Sequence, residues 1–221
     1  MPLSKMQIQP GVFKDDTVYS QEGKWVDSEK VRFLKGRAEK IGGWAKFDSD
    51  NIANGVVRTI LPFRGQVTNN IRYIGIGTHS HLYVYNGADG SYNDITPSSG
   101  YNAGAQHTTI SSGAYTFAGI WTLDTFGEDL IGVNKITNAS SDGTLHKWDL
   151  SAGVGTVAAA VSGAPSSANG VVVNQSSRQV VLYGAHDGSA DAPMRVAWSD
   201  LEDITDWTAT LDNFAGAIEL Q

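Results

Sequence analysis

Residues 72–97 read RYIGIGTHSHLYVYNGADGSYNDITP, and this stretch decides the fold. Arg72-Tyr73-Ile74-Gly75-Ile76 is β-branched and aromatic, which suits a pleated, half-buried strand. Thr78-His79-Ser80 reads as a turn, and His81-Leu82-Tyr83-Val84-Tyr85 as a second strand. Asn86-Gly87 carries the pattern of a type I′ hairpin turn, because both residue types tolerate positive φ. Asp89-Gly90 repeats the signal, Tyr92–Thr96 makes a third short strand, and Pro97 ends it.

The same sentence of strands and turns recurs twice. Tyr115–Leu123 reads as a strand, Thr125–Asp129 as a turn and Leu130–Val133 as a short buried strand. Asp142-Gly143 is a further turn, followed by the alternating segment Thr144–Asp149. A third group holds Val171-Val172-Val173, Gln179–Tyr183 and Arg195–Trp198. The strand that opens at Ala217 has no following turn and no expected partner. The three groups have corresponding strand ends, an aromatic followed by a polar residue, at Tyr85-Asn86, Trp148-Asp149 and Trp198-Ser199. They lie 63 and 50 residues apart (85 to 148, 148 to 198). That irregular spacing is compatible with propeller blades carrying insertions. The expected fold is therefore all-β and antiparallel, with about three propeller-like blades over residues 51–221; a β-sandwich is the alternative. Three blades do not close a ring, since propellers use four to eight. Either the chain is part of a longer protein or neighbouring copies complete the sheets.

Composition agrees. Glycine accounts for 25 of 221 residues, about 11% against a usual ~7%. Apolar residues at helical spacing are nearly absent; Trp25–Leu34 is a partial match and fits a hairpin around Lys35-Gly36 equally well. The chain has no cysteine, which removes disulfides, thiolate metal sites and cysteine nucleophiles. The net charge of −7 argues against a broad basic surface for nucleic acid. No signal-peptide pattern and no run of 18 apolar residues is present, so no membrane span is expected.

The charge is uneven. Residues 1–50 contain nine Lys/Arg and eight Asp/Glu, whereas residues 51–221 contain seven and fifteen. Residues 1–50 are expected to be a docking segment, with too few apolar side chains for a core of their own. Trp25, Arg32, Phe33 and Trp44 are its candidate interface residues, because Trp and Arg dominate interface energetics. The bland alternative is that Trp25 and Trp44 close a first blade internally.

Catalytic patterns are weak. His79, His81, His107, His146 and His186 lack metal-site spacing, and no metal or other cofactor is expected. His186–Asp191 offers clustered oxygens but reads first as an Asp-Gly turn. No Gly-x-Ser-x-Gly elbow or phosphate-binding loop is present. Ser141-Asp142-Gly143-Thr144 with Trp148 resembles the Asp-box turn of sialidase-type propellers, but the arginine cluster such an enzyme needs is missing.

The opening segment carries the most specific pattern. Pro10-Gly11-Val12, Asp15-Asp16-Thr17, Glu22–Asp27, Lys30-Val31-Arg32-Phe33 and Gly36–Trp44 resemble the start of tailed-bacteriophage structural tail proteins of the nozzle, or tail-tube-B-like, type. Ala197-Trp198-Ser199-Asp200 with Asp203, Asp206-Trp207, and Ala215–Leu220, are similar as well. The resemblance implies a propeller-based, non-enzymatic virion protein made in the host cytoplasm. It would form a ring with copies of itself, expected to be a hexamer, below the portal and adaptor. Its partners would be the portal-adaptor or other tail proteins. Viral DNA would pass without sequence-specific binding, aided by an acidic lumen that repels phosphate. The alternative function is a receptor- or glycan-binding tail fibre or adaptor, with Trp44, Trp121, Trp148 and Trp207 stacking on sugars.

Overall fold

The alternation in residues 72–85 forms two strands of a four-stranded antiparallel sheet in the computed structural model of the chain. The structure describes residues 8–15, 17, 19–21, 23–43, 53–66, 70–111, 114–116, 118–136 and 142–220; for 109–111 and 114–116 only the backbone is described. The chain divides into two units, residues 1–49 and 50–221.

In the first unit, β1 (Gln9–Val12) pairs in parallel with β2 (Lys24–Trp25). Strands β3 (Val31–Leu34) and β4 (Arg37–Lys40) form an antiparallel hairpin. Its tip is Lys35-Gly36, with φ of 50° and 76°. Two successive positive φ values make the I′ geometry whose twist matches the flanking strands. The hairpin expected there is present.

Among the described residues, the second unit contains three four-stranded sheets, each a meander in sequence order. The first holds β5 (Val57–Arg64), β6 (Arg72–Thr78), β7 (Leu82–Asn86) and β8 (Tyr92–Asp94). A two-stranded hairpin follows, β9 (Thr109–Ser111) with β10 (Ala114–Thr116). The middle sheet holds β11 (Trp121–Phe126), β12 (Asp129–Asn134), β13 (His146–Trp148) and β14 (Ala159–Ala160). The third holds β15 (Gly170–Asn174), β16 (Gln179–Tyr183), β17 (Arg195–Trp198) and β18 (Gly216–Glu219). The one helical turn among the described residues is 3₁₀, Leu150–Ala152. The fold is all-β, with antiparallel sheets.

The sheets stack face to face, and successive residues of a strand supply opposite faces. Leu130 of β12 packs toward the first sheet, with Trp121, Trp148, Tyr73, Leu82 and Val84. The next residue, Ile131, packs toward the third sheet, with Phe126, Val133, Val171, Val180 and Leu182. This double burial explains the uninterrupted apolar run at residues 130–133. Close approach of the first two sheets requires glycine on β6. A Cβ at Gly77 would stand 2.7 Å from Trp121 Cβ, and one at Gly75 would stand 3.0 Å from Leu130 Cδ2. The first strands β5, β11 and β15 make the most extensive strand-to-strand approach across neighbouring sheets.

Several readings of the sequence need correction. Each sheet has four strands, not three. The expected strand 115–123 is divided between β10 and β11, with Gly119 pressed against the backbone of His79 between them. The Asn86-Gly87 turn is not I′. Gly87 N–H donates to Arg72 O at 2.9 Å, which keeps both residues on the ladder, and the positive φ falls at Gly90. The turn read at Thr125–Asp129 shrinks to Gly127-Glu128, because both strands run further. The strand near Ala217 does have a partner: β18 pairs with β17, from Arg195↔Glu219 to Trp198↔Gly216.

Candidate functional site

Trp25, Arg32 and Phe33 belong to the first unit. The rings of Trp25 and Phe33 lie 6.1 Å apart at 60°, so β2 and the β3–β4 hairpin share one aromatic contact. Phe13 N–H donates to Trp25 O at 2.8 Å, and Lys24 Nζ sits 4.9 Å from the Phe13 ring centroid. Trp25 stays partly exposed, as do Val12, Leu34 and Ile41. Arg32 stands opposite Glu39 in register, and its Nε and Nη2 both donate to Glu39 Oε2, at 3.2 and 3.1 Å. Adjacent residues in a strand face opposite ways, so Arg32 is not on the face of Phe33. The structure thus groups Trp25 with Phe33 and separates Arg32 from them. Trp44 lies outside the described residues.

In the second unit, the two end faces of the stack carry apolar rows that are covered to different degrees; on the first sheet, Ile76 and Tyr83 are buried. Directly opposite residues in a sheet share a face. On the outer face of the first sheet, one row is Ile60–Ile76–Tyr83–Asp94 and the next is Pro62–Ile74–Tyr85–Tyr92. Arg64 and Arg72 stand opposite each other beyond that second row. On the outer face of the third sheet, the rows are Val172–Val181–Trp198–Gly216 and Gly170–Tyr183–Val196–Ile218. Ile60 is 63% exposed, Val172 49% and Ile218 54%. Side chains of this kind fill the two interior faces between sheets. Sequence alternation could reveal that such rows exist, but not which rows the fold leaves uncovered.

A cleft of about 580 Å³ opens at the end of the stack formed by the β5–β6, β11–β12 and β15–β16 turns. Gln66, Glu128, Asp129, Asp149, Gln175 and Arg178 line it. Two of its carboxylates are already engaged. Asp129 accepts from Lys147 Nζ at 2.9 Å and from Leu150 N–H at 3.0 Å. Asp149 accepts from Ser151 N–H and Oγ–H, and these bonds, chiefly the hydroxyl one, hold its carboxyl below the usual range. Burial alone would lower the Lys147 pKa; Asp129 and Asp149 outweigh it and raise the pKa. Arg178 lies over the Phe126 ring at 5.5 Å. Asp129 and Asp149 thus act as structural partners, of Lys147 and of the 149–151 turn.

Three of the histidines are structural in the same way. His79 Nδ1 accepts from Val56 N–H, and His186 Nδ1 from Gly188 N–H, each at 2.9 Å. His146 is enclosed between the first two sheets, where Nε2 donates to Ser99 O at 2.9 Å. Among the described residues no group of three or more His, Cys, Asp or Glu is placed to hold a metal ion. In the 186–191 loop, Asp187 accepts from the N–H groups of Ser189 and Ala190. Asp191 is held by Lys135 Nζ at 2.8 Å and by Ser167 Oγ at 2.6 Å. Both carboxylates are spoken for, and no cation-binding cage forms.

No family model, curated protein or solved structure matches this chain.

Proposed function

We propose that this chain is a structural, non-enzymatic virion protein of a tailed bacteriophage, a subunit of the nozzle or hub ring below the portal and adaptor. The observation that carries the reading is the stack of three consecutive four-stranded meanders, with their first strands together and an apolar face at each end. Meanders stacked in this order are the building pattern of a β-propeller. A scaffold element is what such a stack suits, because the outer face of the third sheet exposes Val172, Tyr183 and Ile218 for packing. The N-terminal pattern that resembles nozzle-type tail proteins supplies the biological context, and the Trp25–Phe33 hairpin supplies a surface for docking on a neighbouring tail subunit. Ring partners are copies of the chain, and DNA would pass without base-specific contacts. The first strands carry Arg58, Arg64 and only Asp124, whose oxygens accept from Thr125 and Val173 N–H groups. An acidic channel lining would therefore have to come from the turns, such as Glu128 and Asp149.

Glycan binding is the weaker reading. Trp121 and Trp148 are 1% and 0% exposed, stacked between the first and middle sheets. Trp207 is half-buried and donates its Nε1–H to Ile204 O. The Trp121 and Trp148 rings therefore present no open face to a sugar.

Mass spectrometry of purified virions tests the proposal. The chain should be found at a fixed number of copies per particle; its absence from intact particles defeats the reading.

A further inference from the structure

We propose that the β3–β4 hairpin of one copy docks on the 199–214 loop of a second copy, basic tip against acidic loop. The inference rests on the docking part of the function proposed above and names the partner, which is another copy of this chain.

The connection between β17 and β18 has no strand or helix, yet its backbone is pinned. Asp200 N–H donates to Asp206 O at 2.8 Å, and Phe214 N–H donates to Asp200 Oδ1 at 2.7 Å, which closes the loop on itself. Asn213 Nδ2 donates to Asp206 Oδ2 and to Thr208 O, each at 2.8 Å. Ile204 is buried in the core of the middle and third sheets, and Trp207 packs against that core. The loop is thus held in shape, and it carries Leu211 fully exposed and Phe214 66% exposed. Apolar side chains held in water add nothing to the stability of the chain itself. A rigid loop that presents them is pre-organised for a contact.

Charge identifies what fits. Residues 199–214 contain Asp200, Glu202, Asp203, Asp206 and Asp212, and no Lys or Arg. Hydrogen bonds from Thr205, chiefly from its hydroxyl, hold the Asp203 carboxyl below the usual range and keep it ionised. The hairpin has the opposite balance. Residues 29–41 contain Lys30, Arg32, Lys35, Arg37 and Lys40 against Glu29 and Glu39. Glu29 pairs with Lys30 and Glu39 with Arg32, and Lys35, Arg37 and Lys40 stand exposed. Leu34 is exposed and lies opposite Arg37 in register, on the face away from Phe33. The Trp25–Phe33 contact braces the other face. A cationic rim around one leucine therefore complements an anionic rim around Leu211 and Phe214. Two hairpins, or two loops, would set like charges against each other and oppose association. The contact is head to tail, since each copy offers a hairpin to one neighbour and a loop to the other. Such contacts generate rings when the rotation closes.

Sedimentation velocity of the full chain over a concentration series tests this, at about 0.05 M and at about 1 M salt, where the screening length falls to about 3 Å. The wild-type chain should associate at low salt, and at least about tenfold less tightly at high salt. Leu34→Asp and Leu211→Asp, both at exposed positions, should each stay monomeric where the wild type associates, with circular dichroism confirming the fold. Mixing the two should restore a heterodimer and nothing larger, since one intact hairpin and one intact loop remain. Arg37→Glu and Asp212→Lys repeat the test by charge alone, and carry it if a leucine variant fails to fold. Each should weaken association, and the two in one chain should restore it. A wild type that is monomeric throughout overturns the proposal. So does association that does not weaken with salt, or that survives either the hairpin or the loop substitution. None of these outcomes bears on whether the chain is present in virions, so the tail reading stands or falls separately.

Discussion

Asp124 on the first strand of the middle sheet accepts a hydrogen bond at Oδ2 from the backbone N–H of Val173 on the first strand of the third, at 2.7 Å. Its Oδ1 accepts from Thr125 N–H at 2.8 Å. Val173 pairs with Val180 in the β15–β16 ladder, and its side chain is buried toward the middle sheet. A carboxylate therefore satisfies a main-chain donor on a neighbouring sheet's first strand, where no further strand pairs. Asp124→Ala leaves that N–H without its partner and should destabilise the chain by about 1–3 kcal/mol. Asp124→Asn keeps an acceptor and should cost less. Urea unfolding checks both; equal stability of Asp124→Ala and wild type would show that the bond contributes nothing.

Gly77 governs how closely the first two sheets approach. An added Cβ would meet Trp121 Cβ and ring atoms at 2.7–2.9 Å, and those atoms are fixed by a side chain buried in the core. Gly77→Val should cost about 1–3 kcal/mol by overpacking, while the exposed glycine Gly42, past the end of β4, tolerates alanine with little change. Thermal unfolding of the two variants distinguishes a packing role from a general glycine effect.

His146 makes stability depend on pH. Burial disfavours its charged form and lowers its pKa, against smaller opposing effects of hydrogen bonds with Ser99 and Thr144. The unfolded chain then takes up this proton at a higher pH than the folded one, with a reference near 6.5. Stability should fall as pH drops through about 6.5, because the unfolded state binds more protons. His146→Phe should flatten this limb between pH 7 and 5. An unchanged slope in that variant would show that His146 is not responsible.

The N-terminal hairpin separates two kinds of surface residue. Trp25→Ala and Phe33→Ala each should lower incorporation into particles tenfold or more, the effect of losing an interface anchor worth ~2 kcal/mol. Arg32→Ala should matter less, because Arg32 is exposed, paired with Glu39 and on the other face. Deleting residues 1–44 should abolish incorporation. Quantitative mass spectrometry of particles made by complementation checks all four, and normal incorporation of Trp25→Ala and Phe33→Ala would remove the anchor.

Much of the strand pattern was legible from alternation and turn chemistry. Gln179–Tyr183 and Arg195–Trp198 form strands with the bounds the sequence suggested, and Tyr85, Trp148 and Trp198 do sit at or near the ends of third strands. Strand β5 escaped notice because Pro62 interrupts VRTILPFR. Pro62 lacks only an N–H, and a first strand has one edge that no ladder uses, so the residue is tolerated there. Strand β14 is two alanines, too short to leave a pattern. The end faces were hidden for another reason. Val172 and Val173 are the same residue type in the same strand, yet one is half exposed and the other is core. Only the placement of the neighbouring sheet decides which, and no local signal encodes it. The N-terminal tryptophan and arginine were chosen by residue type, which cannot tell that Arg32 and Phe33 point apart.

A density map of the assembled particle at side-chain resolution bears most directly on the structural-subunit reading. A ring subunit should appear in the tail below the portal, with the exposed apolar side chains Val172 and Ile218 of the third sheet covered. A particle map that accounts for every tail density without this chain, or that shows Val172 and Ile218 in solvent, would contradict the reading.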